Sequence, residues 1–363
     1  MDLQIYDNIV HNPPIIDKAY LSKVLCLPTT QLISDIELCE IIESNTALTI
    51  KFKIRIKEDA GCETTRRFFI KTIKNDPKTH AYDALSLKEA EFYKFMQNVS
   101  NTNLPTAQCF DAFISQDSTK YLLLLEDLSE EFSPPDKVDL SSENIWLSAA
   151  ISLGIFHAAF WNFDKIGSTD LPIDNLEKRN FNIKNIYESY EKFINYVGNR
   201  FDAETLSIYE HVIRLSVLLE TERYERLFNR DNITLCHGDS HIYNFMFPYN
   251  KNETPVIIDF QFWGIGIGAG DVAHLTRESF PIIRRENLHR LIMEKYYETL
   301  LSHGVQSYSW DTCWNDYRRQ VASMLLIPMW QYTFFGLQYD DWVSDVSGLI
   351  SNYILLHCEE LYS

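Results

Sequence analysis

The sequence predicts an α+β protein with a small, β-rich N-terminal lobe and a large, mainly helical C-terminal lobe. Three observations lead to this prediction. Short strand patterns fill most of the first 125 residues, helical patterns dominate after residue 140, and one β-like island interrupts the helices between residues 233 and 260. We place the domain boundary so that the lobes comprise residues 1–126 and 127–363. The island is where we expect the chemistry, because it is the irregular part of a helical lobe.

The N-terminal lobe is predicted to contain four strands around one central helix, after one or two short helices in the first 30 residues. Strict alternation of Ile and Phe with Lys and Arg over 47–57 is typical of a half-buried strand. The turn residues at 58–61 then lead into a second strand, which makes a β-hairpin. The remaining predicted elements are strands at 67–73, 110–114 and 121–125 and a helix with one mostly apolar face at 82–99.

The C-terminal lobe follows a Pro-bearing segment at 133–135. Its apolar residues recur with the period of a helix. In the island, two short apolar runs at 233–236 and 256–258 flank a polar loop. The predicted helices lie at 142–162, 183–198 and 203–227, with several more after residue 286.

The chain is acidic, with 33 Lys and Arg against 51 Asp and Glu and a formal net charge of −18. Such a chain is a poor candidate for binding nucleic acid or an anionic membrane. No apolar run approaches the roughly 20 residues that a membrane-spanning helix needs. Solubility is one reason for the acidic excess, and a preference for a cationic substrate is the more specific hypothesis.

The cysteines and the N-terminus indicate a cytoplasmic protein. Seven Cys are present, an odd number, with wide spacings and no C-x-x-C pair, so neither a zinc knuckle nor a thioredoxin-type site is indicated. Reduced cysteines fit the cytosol best. The first residues are acidic and lack a continuous apolar stretch, which does not match a secretory signal peptide.

The island carries polar residues with the spacing of a kinase motif. It reads HGDSHIYN at 237–244, followed after a short apolar strand by DFQ at 259–261. Protein kinases use H-R-D-x-x-x-x-N followed by D-F-G, and Asp239 and Asn244 keep the four-residue gap of that pattern. Phosphoryl transfer needs one carboxylate to accept the proton of a hydroxyl. It also needs a second carboxylate and an amide oxygen to hold Mg²⁺.

Two other interpretations of these residues are open. Asp and Asn commonly begin turns, so the loop could be purely structural. A metal-hydrolase site for Zn²⁺ or iron is the second, although the H-E-x-x-H signature and a Cys pair are missing. The possible ligands of that site are His237, Asp239, His241, Asp259 and His274.

Two common nucleotide-binding motifs do not fit. No G-x-x-x-x-G-K-[ST] sequence occurs, which excludes a P-loop kinase. Glycines follow the second apolar run at alternate positions from 264 to 270, but their spacing is not G-x-G-x-x-G. We expect these glycines to let the chain turn sharply after Asp259.

The island and three further segments resemble the aminoglycoside phosphotransferase and choline kinase superfamily, most closely its ecdysteroid-kinase-like branch. The resemblance spans about residues 45 to 280. It implies a bilobal protein-kinase-like fold and transfer of the γ-phosphoryl group of ATP, or of another NTP, to a hydroxyl of a small molecule. The segments are LCHGDSHIYN at 235–244, IDFQFW at 258–263, LLEDL at 124–128, LGIFHAAFW at 153–161 and GDVAHL at 270–275.

The resemblance implies a role for each polar residue of the island. Asp239 corresponds to the catalytic base. Asp271 corresponds to a buried Asp that braces the loop from behind, and its alternative role is to cap the following helix. The structural or substrate-facing histidines are His237 and His241, and the Mg²⁺ ligands are Asn244 and Asp259.

The same resemblance implies a nucleotide site in the N-terminal lobe. Lys71 ends the second strand of the hairpin, where the phosphate-binding Lys belongs. The family pattern, a Glu three residues before Phe and four before Tyr, selects Glu89 rather than Glu91 as its partner. The other cofactor-binding residues are Glu126 and Leu128 in the hinge, and Ser44, Asn45 and Thr46 in the loop that covers the phosphates.

Two functions from different classes are therefore considered. The leading one is an ATP- and Mg²⁺-dependent small-molecule O-phosphotransferase. The phosphate-covering loop contains no Gly, which motivates the alternative of a catalytically weak or inactive pseudokinase that acts as a nucleotide-binding or interaction module. Against that alternative, Lys71, Glu89, Asp239, Asn244 and Asp259 are all present.

The acceptor is predicted to have an apolar body and a cationic group. Aromatic faces and carboxylates both attract cations, and such residues cluster near the C-terminus. The cluster consists of Trp330, Tyr332, Phe334, Phe335, Tyr339, Asp340, Asp341, Trp342 and Asp345. Helix packing is the alternative role of the aromatic members.

Overall fold

The chain divides into two units, Met1–Phe132 with Ile258–Trp263, and Ser133–Ile257 with Gly264–Ser363. The predicted boundary lies between residues 126 and 127 and does not include the short segment 258–263. The computed structural model describes residues 3–11, 13–43, 47–58, 61–73, 80–99, 103–168, 171, 173–250, 253–277 and 286–361, without the side chains of 80–84.

The first unit is built on a five-stranded antiparallel sheet with the strand order β1-β2-β3-β5-β4. Its elements are α1 (Leu3–Ile9), α2 (Lys18–Val24), β1 (Gln31–Glu43), β2 (Leu48–Glu58), β3 (Glu63–Thr72), α3 (His80–Met96), β4 (Cys109–Ile114) and β5 (Tyr121–Glu126).

The alternation in β2 separates a core face from a charged face. The inward residues are Ile50, Phe52, Ile54 and Ile56, each at most 2% exposed. The outward cations of β2 meet carboxylates of β1 directly across the sheet, as expected for opposite charges on neighbouring strands. These pairs are Lys51–Glu40, Lys53–Glu37 and Arg55–Asp35.

Strand β1 was missed in the sequence prediction. Its pairing with β2 contains two irregularities, between Ile33 and Asp35 and between Leu38 and Glu40. Each shift puts the apolar side chains out of step with a two-residue period. Most of the strand is also exposed, so burial does not impose alternation on its sequence.

The second unit is mainly helical. Its elements, with a short strand at the boundary, are β6 (Phe132–Ser133), α4 (Glu143–Ala159), α5 (Leu176–Val197), α6 (Ala203–Asn229), β7 (Thr234–Cys236), β8 (Phe245–Pro248), β9 (Val256–Ile257), β10 (Gly264–Gly266), α7 (Ala269–Leu275), α8 (Glu286–Ser302), α9 (Trp310–Ser323), α10 (Leu326–Phe335) and α11 (Tyr339–Leu355). Short 3₁₀ helices supplement them, one of which, Ile242–Asn244, lies in the predicted catalytic loop.

Helix α4 lies at the centre of the second unit and packs against α8. Its buried residues include Trp146, Ala149, Leu153 and Phe156, each fully shielded from solvent. Gly154 permits the close approach of the two helices, because a Cβ atom there would lie 2.8 Å from the side chain of Thr299.

The glycines after Asp259 do not form the sharp turn that we expected. Gly264 and Gly266 belong to β10, which pairs antiparallel with β7 through Gly264–Cys236 and Gly266–Thr234. Neither glycine has a positive φ. The change of direction lies earlier, at Asp259 itself, whose φ is 67°.

The predicted α+β class is confirmed, with an antiparallel sheet in the N-terminal part and a large helical C-terminal part. The predicted hairpin and the helices at 82–99, 142–162 and 203–227 correspond to β2, β3, α3, α4 and α6. Within the part of the chain that the structure describes, no helix combines the length and the apolar character needed to cross a bilayer.

Candidate active site

The predicted catalytic loop connects β7 to the 3₁₀ helix Ile242–Asn244. Gly238 has a φ of 83°, a conformation that glycine adopts without strain, and it turns the chain between His237 and Asp239. The backbone N–H of Asp239 donates to Nδ1 of the fully buried His237 over 3.2 Å. His237 therefore contributes to the shape of the loop from the interior.

Asp271 on α7 holds this loop from behind. Its Oδ2 accepts from the backbone N–H of His237 at 2.6 Å, and its Oδ1 accepts from that of Gly238 at 2.9 Å. The hydroxyl of Ser240 donates to the backbone carbonyl of Asp271 at 2.7 Å. The alternative role of a helix cap is wrong, because the N-cap position of α7 belongs to Gly268.

A buried histidine that the sequence analysis did not single out lies behind Asp271. Nε2 of His157 is 3.0 Å from Oδ2 of Asp271, and its Nδ1 is 3.0 Å from the hydroxyl of Tyr296. Burial alone would raise the pKa of Asp271, but the hydrogen bonds from His157 and the loop outweigh burial and hold that pKa at about 2. Asp271 is therefore a carboxylate at physiological pH. The only sequence signal for His157 was its place in the segment LGIFHAAFW.

The carboxyl group of Asp239 lies between two imidazoles. Nε2 of His241 is 3.5 Å from its Oδ2, and Nδ1 of His274 is 3.7 Å from its Oδ1. The Asp239 side chain keeps 28% of its surface exposed, so a reactant can reach it. The backbone around it is fixed, while the carboxyl group itself is accessible.

The side chain of Asn244 bonds back to the start of the catalytic loop. Its Nδ2 donates to the backbone carbonyl of Asp239 at 2.7 Å and lies 3.3 Å from Nε2 of His241. Because the amide nitrogen serves these two acceptors, the amide oxygen is the atom that Asn244 can offer to a cation.

In the first unit, Lys71 lies between two carboxylates. Its Nζ is 2.6 Å from Oε2 of Glu89 on α3 and 2.9 Å from Oδ1 of Asp259. Burial alone would lower the pKa of Lys71, but the two carboxylates raise it, so the ammonium stays charged. Burial raises the pKa of Glu89 to about 7, although Lys71 acts in the opposite direction. Glu91, the partner that the family pattern did not select, is exposed.

The segment after Asp259 is anchored on α3. The ring of Phe260 stacks on Phe92 with 3.8 Å between centroids and 6° between planes. The indole N–H of Trp263 donates to the backbone carbonyl of Lys88 at 2.6 Å. These contacts explain why 258–263 belongs to the first unit, and they fix the position of Asp259 relative to Glu89.

The predicted hinge residues follow at the end of β5. The carboxylate of Glu126 accepts from the backbone N–H of Gln108 at 2.6 Å, so its side chain is held within the sheet. Leu128 is buried and begins a 3₁₀ helix whose N-terminus is capped by Asp127. Contact of this backbone with adenine stays a prediction. The phosphate-loop residues Ser44, Asn45 and Thr46 lie outside the described residues.

The proposed hydrolase ligands are not brought together as a metal site. Among the described residues, only two sets of His, Cys, Asp or Glu side chains place three ligand atoms within 4.8 Å of one another, and neither contains His237, Asp239, His241, Asp259 or His274. The buried set is His157, Cys236 and Asp271. Both nitrogens of His157 and both oxygens of Asp271 already take part in hydrogen bonds, so this set works as a brace for the loop.

The second unit contains a cavity of about 320 Å³ between α5, α6, α9 and α10. Its wall includes Gln320, whose side-chain oxygen would lie 3.5 Å from a Cβ atom built on Gly270 of α7. Of the predicted aromatic and acidic cluster, only Trp330 and Phe334 line the cavity, and none of its carboxylates does. Trp342 is fully buried in helix packing, as the alternative role predicted.

Solved structures share this fold at low sequence identity. A candidate aminoglycoside phosphotransferase from Ralstonia eutropha JMP134 is 12% identical, with a TM-score of 0.54 over 94% of this chain and 96% of that one. A microcompartment-associated aminopropanol kinase is also 12% identical, with a TM-score of 0.51 over 94% of this chain and 97% of that one. The predicted kinase-like fold is thereby confirmed.

Sequence comparison identifies the family. A search of curated proteins gave no significant match. The model of the ecdysteroid kinase-like family matches residues 44–306, which cover well over half of the chain and contain the catalytic loop. The resemblance noted in the sequence is thereby confirmed, and the chain belongs to the ecdysteroid kinase-like family.

Proposed function

We propose that this protein is an ATP- and Mg²⁺-dependent phosphotransferase that moves the γ-phosphoryl group to a hydroxyl of a small molecule. The observation that carries the proposal is the ammonium of Lys71 held between Glu89 and Asp259. Kinases bind nucleotide phosphates with a Lys paired to a helix Glu and a metal with the Asp of a D-F-G segment. The family to which the chain belongs and a structural neighbour, an aminopropanol kinase, support the same reaction class.

The two predicted Mg²⁺ ligands each offer an oxygen. Oδ1 of Asp259 accepts from Lys71, while Oδ2 has no hydrogen-bond partner among the described residues, and 40% of the side chain is exposed. Asn244 offers its amide oxygen, because its nitrogen is engaged by Asp239 and His241. Carboxylate and amide oxygens suit a hard cation. Mg²⁺, when bound with the nucleotide, offsets the negative charge of the phosphates.

In the proposed reaction Asp239 is the general base. One of its carboxylate oxygens accepts the proton of the acceptor hydroxyl while that hydroxyl oxygen bonds to the γ-phosphorus and ADP leaves. The backbone hydrogen bonds to His237 and Asp271 hold the loop, and 28% of the Asp239 side chain stays exposed. The base is thus positioned before the substrate arrives, which is how enzymes gain rate from orientation.

We propose the helical cavity as the acceptor pocket. Helix α7 lies between the cavity wall and the catalytic loop in the chain of contacts, because the Gln320 side chain would lie 3.5 Å from a Cβ atom at Gly270, and the next residue of α7 is Asp271. The volume of about 320 Å³ is that of a small-molecule site. The amide groups of Asn185 and Gln320 line it. Its apolar wall consists of Ile186, Leu219, Leu326, Trp330 and Phe334.

The hydrogen bonds around the cavity are the reason to propose an uncharged acceptor in place of the cationic one that the sequence suggested. Its carboxylate, Glu220, bonds to Arg223 with both oxygens at 2.8 Å and also accepts from Asn182 at 2.8 Å. Arg223 in turn bonds to Asp174 at 2.6 Å, so an ammonium group would have to displace Arg223 from two carboxylates to pair with Glu220. An alcohol with an apolar body and further polar groups matches the lining.

This proposal is tested with the intact protein, MgATP and a panel of alcohols matched in size but cationic, neutral or anionic, at low and high salt. We expect ADP release with neutral members and little dependence on salt. ATP binding without ADP release for any member would favour the pseudokinase. A clear preference for cationic members that weakens with salt would contradict the uncharged pocket and leave the phosphotransferase assignment intact.

A further inference from the structure

His274 is a polar group beside Asp239 to which neither the sequence nor the family match assigns a role in phosphoryl transfer. It lies in the last turn of α7, and its Nδ1 is shielded from solvent without a hydrogen-bond partner among the described residues. The 3.7 Å between this nitrogen and Oδ1 of Asp239 is too long for a hydrogen bond. A buried polar atom without a partner costs free energy, and a hydroxyl bound beside the predicted base would supply the missing acceptor.

The imidazole of His274 is neutral. Burial, together with the nearby Arg277, lowers its pKa to about 3, against the opposite effect of Asp271. A neutral imidazole carries one N–H. The adjacent carboxylate of Asp239 favours the tautomer with the proton on Nδ1, because a nitrogen lone pair facing an anion would be repelled.

His241, the other imidazole beside Asp239, is arranged differently. Its Nε2 lies 3.3 Å from Nδ2 of Asn244, a group that can only donate. This nitrogen of His241 therefore accepts from the Asn244 amide, and that N–H offsets the repulsion from Oδ2 of Asp239, 3.5 Å away. Of the two ring nitrogens that face Asp239, only Nδ1 of His274 is left to carry an N–H toward an incoming hydroxyl.

We infer that His274 is the second contact of the acceptor hydroxyl: its Nδ1–H donates to the hydroxyl oxygen whose proton Asp239 accepts. Two atoms 3.7 Å apart can both lie at about 2.8 Å from one oxygen, with an angle near 83° between them. The N–H fixes one lone pair of the oxygen and leaves the other for the γ-phosphorus. This inference rests on the proposed phosphotransferase function.

The position of the cavity agrees with this role. Gly270 and His274 are four residues apart on α7 and so share one face of the helix. The Gln320 side chain of the cavity wall would lie 3.5 Å from a Cβ atom at Gly270, and Nδ1 of His274 lies 3.7 Å from Asp239. An acceptor held in the proposed pocket would have to extend along this face of α7 to place its hydroxyl beside His274 and Asp239.

The test uses two variants of the full chain. His274→Leu removes the donor, and His274→Asn restores an N–H near the position of Nδ1. Water is the acceptor probe, as slow hydrolysis of MgATP. We expect hydrolysis to fall about tenfold or more in His274→Leu and to recover in large part in His274→Asn, with MgATP binding unchanged in both. His303→Gln, at an exposed histidine, is the matched control and should behave as wild type.

A second measurement does not depend on turnover. Nitrogen NMR of labelled histidines, with His274→Leu for assignment, should show a neutral His274 protonated on Nδ1 at pH 6, with a resonance that shifts in Asp239→Asn. A His274→Leu variant that hydrolyses ATP like wild type, or a His274 that is charged or protonated on Nε2, would overturn the inference. Failure of the phosphotransferase assignment would give a different result from failure of the His274 inference. In that case wild type and Asp239→Asn would hydrolyse ATP equally slowly, and the NMR measurement would still decide the protonation of His274.

Discussion

Glu89 carries its carboxyl group almost completely out of water, beside the ammonium of Lys71. Burial raises the pKa of Glu89 to about 7, above the roughly 4.3 of an exposed Glu. The folded protein therefore binds this proton more tightly than the unfolded chain, and it loses stability as the pH rises from about 4.5 through 7. The ionised carboxylate is nevertheless the form that pairs with Lys71, the residue proposed to bind the nucleotide phosphates. Holding the Lys71 ammonium in place therefore lowers the stability of the folded protein at neutral pH.

The variant Glu89→Gln tests this account of the ion pair. Because Gln does not titrate, the free energy of unfolding of the variant, relative to wild type, should rise by about 1–3 kcal/mol between pH 5 and pH 8.5. Chemical denaturation at the two pH values measures it. Glu91→Gln, on the same helix but exposed, should show no such change. A relative stability that is constant, or that falls with pH, would refute the assigned titration.

At the scale of elements, α7 connects the loop, the buried brace and the cavity, although it has only seven residues. Its Asp271 bonds to the loop, its His274 faces Asp239, and a Cβ atom at its Gly270 would lie 3.5 Å from the side chain of Gln320. Gly268, at its start, lies against the brace: a Cβ atom there would be 2.4 Å from the hydroxyl of Tyr296 and 2.8 Å from Nδ1 of His157. The hydrogen bond between Tyr296 and His157 thus requires a glycine beside it.

Substituting Gly268 should destabilise the fold around the contact between Tyr296 and His157. Gly268→Ala is expected to lower the free energy of unfolding by about 1–3 kcal/mol, because rigid buried groups must move to accept the methyl group. Gly264→Ala is the matched control, since nothing lies within 4 Å of a Cβ atom at Gly264. Urea denaturation of both variants gives the comparison. Equal effects of the two substitutions would show that the contact around Gly268 is relaxed.

The same scale shows what the sequence could predict. Asp239 and Asn244 lie in one short segment, so their spacing alone predicted a common loop, and the alternation of β2 predicted the hairpin. Asp271 was predicted as the brace only through the family resemblance, and His274 was named only as a possible hydrolase ligand. Their contacts with His157, Tyr296 and Asp239 could not be predicted from spacing, because these residues come from elements far apart in the chain. Strand β1 was hidden because its bulges and exposure remove the periodicity on which strand prediction depends.

At the scale of the whole chain, the family match and the proposed acceptor pocket cover different residues. The match ends at residue 306. The cavity residues beyond it are Gln320, Ser323, Leu326, Trp330 and Phe334. All the residues proposed to bind nucleotide and metal lie within the match, while five residues of the pocket wall come from the part of the chain that it does not include. Family membership therefore informs the reaction more than the acceptor.

The most direct test of the phosphotransferase assignment compares two carboxylate variants with wild type, using MgATP and the alcohol that gives the fastest ADP release. Asp239→Asn should bind MgATP normally in a thermal-shift titration, because its change is confined to the proton acceptor. Asp259→Ala should lose the Mg²⁺ dependence of ATP binding, because its carboxylate supplies charge to the ion. The two variants therefore distinguish the loss of the general base from the loss of a metal ligand.

The decisive quantity is the rate of phosphoryl transfer by Asp239→Asn. General-base catalysis contributes roughly 10²–10⁴-fold, and an amide cannot accept the hydroxyl proton. We predict a loss of turnover of that size with MgATP affinity intact. Near-wild-type phosphoryl transfer by Asp239→Asn would contradict the assignment of Asp239 as the base and with it the proposed mechanism.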